Sequence, residues 1–61
     1  MIADLEMPEV VALALYWRAK RMGNELRLRQ KVLKIKEERG WSWEETEEIA
    51  RKCYEELTEV K

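Results

Sequence analysis

The sequence predicts an all-α protein, a small three-helix bundle. Three observations carry that expectation. Charged residues make up 41% of the 61 positions, while glycine occurs twice and proline once, a composition suited to helices in water. The two glycines, in Gly23-Asn24 and Gly40-Trp41-Ser42, divide the chain into three stretches of similar length. The last stretch repeats its apolar residues at the helical period.

The first segment, about residues 8–22, opens with Pro8 and Glu9, a residue suited to the first turn and an acid suited to the positive helix end. Val10 to Trp17 follows as an unbroken apolar run of eight. At about 100° per residue its side chains point in every direction, so this helix needs cover on all sides. Gly23 then offers a left-handed stop, with Asn24 as the next N-cap. In the second segment, 25–39, Leu28, Val32 and Ile35 form one apolar stripe and Leu26 and Leu33 another. Arg29 and Lys36 lie between the stripes, placed to meet glutamates of the third segment or of a second chain. Arg27, Lys31 and Lys34 occupy the outer face.

The second junction is written more fully. Gly40 caps the helix before it, and Ser42 with Glu45 has capping-box spacing for the helix after it, with Trp41 covering the joint. In the third segment, 43–60, Trp43, Thr46, Ile49, Ala50, Cys53, Tyr54, Leu57 and Val60 fall within an arc of about 140°. Glutamates fill the opposite face. One alternative architecture is open. If the helix ran through Gly23-Asn24, it would extend about 32 residues, near 48 Å at about 1.5 Å per residue. The chain would then be a long hairpin able to dimerise into a four-helix bundle.

Charge is sorted along the chain. From Arg18 to Lys36 eight basic residues stand against Glu25 alone, a net +7. From Trp41 onward seven glutamates face Arg51, Lys52 and Lys61, a net −4. Such sorting serves a polyanion, a second copy of the chain, or neighbouring helices of one copy.

Size and chemistry narrow the function. So short a chain buries only about 60% of its unfolded surface and gains from added stabilisation. A single cysteine excludes an internal disulfide, and the absence of histidine argues against zinc or haem, which leaves self-association or, equally, an unusually well-idealised small bundle. No nucleophile has an acid–base partner, so no enzyme, no cofactor, no metal and no small-molecule substrate are expected. Cys53 lies mid-arc as a small buried hydrophobe. The eight-residue apolar run is far short of the roughly 20 needed to cross a bilayer. Asp4 and Glu6 stand where a secretion signal needs basic residues. A cytoplasmic protein that does not enter membranes is therefore expected. Charge-rich composition fits a thermostable protein, and fits a designed scaffold without a biological task equally well.

Residues Ile35 to Glu45, with Ile49-Ala50 after them, resemble the opening of a Cro-repressor-type helix-turn-helix. The resemblance covers about 16 residues and implies a recognition helix after a further turn. Arg51 to Leu57 instead continue the same acidic amphipathic helix, so the DNA-reading element is missing and that function is not carried over.

The expected function is a non-enzymatic association module that forms a homo-oligomer, most simply a dimer, or binds a protein partner. Its contact would be the surplus apolar surface of the first helix: Val10, Leu13, Tyr16 and Trp17. The competing expectation is a nucleic-acid-binding regulator using Arg18, Lys20, Arg21, Arg27, Lys31 and Lys34, six groups able to meet phosphates. An isoelectric point of about 5.5 weighs against it.

Overall fold

Each of the three segments becomes a helix, and both glycines end one. In a computed structural model, which describes residues 5–59, α1 spans Met7–Met22, α2 Leu26–Arg39 and α3 Trp43–Thr58. Val60, which the periodicity places on the third arc, lies outside the described residues. The long uninterrupted helix does not form. Gly23 adopts φ 79° and stops α1. Its N–H donates to the Lys20 carbonyl, and that of Asn24 to the Ala19 carbonyl, at 3.2 and 3.0 Å. This paired closure satisfies carbonyls that the helix end leaves without partners. Glu25, not Asn24, takes the N-cap position of α2, and it makes no side-chain cap hydrogen bond.

Gly40, at φ 73°, repeats the device at the end of α2. Its own N–H reaches Glu37 and the Trp41 N–H reaches Lys36. Two residues later the expected capping box is present. Ser42 Oγ accepts the Glu45 N–H and Glu45 Oε1 accepts the Ser42 N–H, both at 3.1 Å. Thr46, fully buried, donates its hydroxyl to the Ser42 carbonyl at 2.7 Å, so burying it leaves no polar atom unsatisfied.

α1 is the central element. It packs closely on α3 and more lightly on α2, whereas α2 and α3 touch mainly near their junction. Arg39 at the end of α2 bonds Glu9 at the start of α1, at 2.7 Å, so α2 runs back along α1. Lys20 pairs with Glu47, and Leu57 lies in a cleft with Val11, so α3 also runs against α1. The core between them holds Leu5, Val10, Leu13, Ala14, Tyr16, Val32, Ala50 and Cys53. Trp17, Leu28, Trp41, Trp43, Ile49 and Tyr54 close over it, half-buried.

Candidate association surface

α1 has two covered flanks and one open one. The open flank carries Met7, Val11, Leu15 and Met22, which are 50%, 37%, 46% and 66% exposed. Their spacing, i, i+4, i+8 and i+15, aligns them as a ridge on one side of the helix. Leu57 of α3, itself exposed, extends the ridge across a cleft lined by Val11, Ala14, Leu15, Arg18 and Tyr54. Scattered apolar residues on a surface are ordinary. A row of four along one helix, continued by a neighbouring helix, is an uncovered face.

Three of the four contact residues expected from sequence lie elsewhere. Val10, Leu13 and Tyr16 are 2%, 0% and 3% exposed and belong to the core. They face inward because α2 and α3 straddle that side of α1, so no second molecule can reach them in the folded chain. Trp17 alone stays half-exposed. It borders an open cleft with Glu44, Glu47, Glu48 and Arg51, and the Arg21 guanidinium sits 5.9 Å from its ring.

The six basic residues do not form one patch. Lys20 is tied to Glu47, and Arg21 rests on Trp17. Arg18 emerges in the α1/α3 cleft. Lys31 and Lys34 line a groove on the opposite side of the ridge, facing Pro8 and Ala12 of α1. Arg27, Lys31 and Lys34 remain together as an exposed stripe along α2. Arg29 and Lys36 do not meet glutamates of α3. They lie 5.0 and 5.2 Å from the centre of the Trp43 ring, whose negative face attracts both cations. Tyr16 flanks the same indole at 6.5 Å, which joins all three helices at Trp43.

The remaining reactive groups are quiet. Cys53 is completely buried, and loss of solvation, aided by the Glu56 charge, pushes its thiol up to about 11. Glu9 is held below its usual range by the backbone of Glu6 and by Arg39. Among the described residues no cluster of three or more acidic or thiol groups is placed to hold a metal ion, and no helix is long and apolar enough to cross a membrane.

Comparison with known proteins finds no matching family model, no matching curated protein and no matching solved structure.

Proposed function

We propose that the chain is a non-enzymatic helical module that works by associating with itself through the open flank of α1. The observation that carries this reading is the ridge of Met7, Val11, Leu15 and Met22, continued by Leu57. Covering it removes apolar surface from water at a gain of about 25 cal/mol per Å². A domain with so small a core has a physical reason to use that gain. Leu15→Glu places a charge on the ridge without entering the core. In sedimentation equilibrium the parent chain should be a dimer and the variant a monomer of unchanged helicity. A parent that stays monomeric, or a variant with the parent's mass, overturns the reading.

A second reading, binding to a polyanion, has one observation in its favour. Arg27, Lys31 and Lys34 project from α2 in one exposed stripe, outside the ion pairs that join the helices among the described residues. Changing all three to glutamine should abolish any binding to duplex DNA. No binding by the parent chain at low salt rejects this reading.

A further inference from the structure

We infer that the outward face of α2 docks on the surface of a bilayer carrying anionic headgroups. This goes beyond both readings above: the face is not the α1 ridge, and its leucines have no part in binding a polyanion. α2 is the helix that the core uses least, with Val32 its one buried residue. Its open side carries Leu26 and Leu33, 79% and 37% exposed, and Leu26 is the most exposed large apolar side chain among the described residues.

The two leucines are seven residues apart, about two turns, so they point the same way. From Leu26 to Lys36 the helix has five cations and no acid. At about 100° per residue Arg29 falls about 60° to one side of Leu26, and Lys34 and Arg27 about 80–100° to the other. The leucines are thus the centre of the face and the cations its borders. Arg27, Lys31 and Lys34 are exposed, and none of them takes part in an ion pair among the described residues. Glu37 and Glu38, the acids of α2, come after this stretch, in the last turn.

An exposed leucine by itself is ordinary. Two at the centre of a cationic face select among anions. Nucleic acid is met by the cations alone, and leucines aimed at its phosphates gain nothing. At a bilayer the leucines reach the boundary between headgroups and acyl chains, while Lys and Arg stems lie along apolar surface and keep their charges among the headgroups. Anionic lipid also attracts such cations from solution, within a screening length of about 8 Å. The expectation that the chain does not enter membranes rests on the length of its apolar run, and no described helix can cross one. Length governs spanning, whereas docking takes one face.

Flotation with vesicles of phosphatidylcholine, alone or with about one third phosphatidylserine, tests this. At about 0.1 M salt the parent chain should float with the anionic vesicles and not with the neutral ones. Binding should fall at least tenfold at about 1 M salt, where the screening length is about 3 Å. The Arg27→Gln, Lys31→Gln, Lys34→Gln chain should lose it. The Leu26→Ser, Leu33→Ser chain keeps every charge and should bind at least tenfold more weakly, with the circular dichroism of the parent. A leucine variant that binds like the parent reduces the face to a polyanion site and overturns the inference. So does a parent that stays off anionic vesicles.

A second measurement needs no loss of binding. An environment-sensitive fluorophore is attached to Leu26→Cys or to Leu15→Cys, with buried Cys53 left unlabelled. On anionic vesicles the label on α2 should shift to the blue and the label on the α1 ridge should not. The reverse, or an equal shift at both, removes α2 as the docking face and overturns the inference. Ridge association, read by sedimentation without lipid, stands or falls separately from each of these outcomes.

Discussion

Leu13 and Leu15 are two residues apart on the same helix, and the fold assigns them opposite fates. Leu13 is fully buried, while Leu15 is 46% exposed. Replacing Leu13 by alanine removes a packed side chain from between all three helices, where the cost is about 3 to about 5 kcal/mol. At about 0.05–0.15 kcal/mol per residue, the whole chain has only about 3 to about 9 kcal/mol of stability. Leu13→Ala therefore takes a large share of it, and at the lower end unfolds the protein. Leu15→Ala loses contacts on one side only and should cost less than about 1 kcal/mol. Urea titration followed by far-ultraviolet circular dichroism separates them, at concentrations low enough to keep the chain monomeric. With a slope near 1 kcal/mol per molar urea, Leu13→Ala should lower the midpoint by about 3 to about 5 M and Leu15→Ala by under about 1 M. Equal shifts, or a larger one for Leu15, would refute the assignment of core and open flank.

Other substitutions probe the ends of the helices and the titrating groups. At Gly40 a side chain has open space, with nothing within 4 Å of a Cβ, yet φ is 73°. Gly40→Ala should thus cost about 1–2 kcal/mol from backbone strain alone, and thermal melting should show Gly40→Asn to be milder. Ser42→Ala removes the cap of α3 and should cost about 1 kcal/mol in the same assay. Native Cys53 should resist an aromatic disulfide reagent at mildly alkaline pH and react fully in denaturant, because its thiol is both buried and shifted up to about 11. Glu9 is more acidic folded than unfolded, so its contribution is fully present above its ordinary value and fades as pH falls through its folded one. Glu9→Gln should consequently lose less stability than the parent on acidification, measured by urea midpoints at neutral and acid pH.

Local signals in the sequence were readable where the chain is punctuated. Gly40 and the Ser42–Glu45 pair each act through their own backbone, so the α2/α3 junction follows from residues a few positions apart. Asn24 misleads: its N–H closes the end of α1, and α2 begins one residue later, at Glu25, without a side-chain cap. The first helix is a different case. Val10 to Trp17 is apolar in all directions, so periodicity cannot orient it, and Val10, Leu13 and Tyr16 look as suitable for a surface as Val11 and Leu15. Arg18 held the missing signal. It is the only charged residue between Val10 and Ala19, and it stands at i+7 from Val11 and i+3 from Leu15, which marks that side as the one facing water. Leu5 joins the core from outside the predicted segment. The partners of Lys20, Arg29, Lys36 and Arg39 depend on how helices cross, which no local pattern encodes.

The uneven share of the core among the helices bears on how the molecule opens. α1 contributes five buried residues and α3 three, whereas α2 contributes Val32 alone. Beyond it, α2 is held by half-buried Leu28, a partly buried ion pair at Glu9 and two cations resting on Trp43. Segments with few buried apolar contacts open at lower free energy than the rest of a structure. Amide hydrogens of α2 should accordingly exchange with deuterium first, while α1 and α3 remain protected as a two-helix remnant.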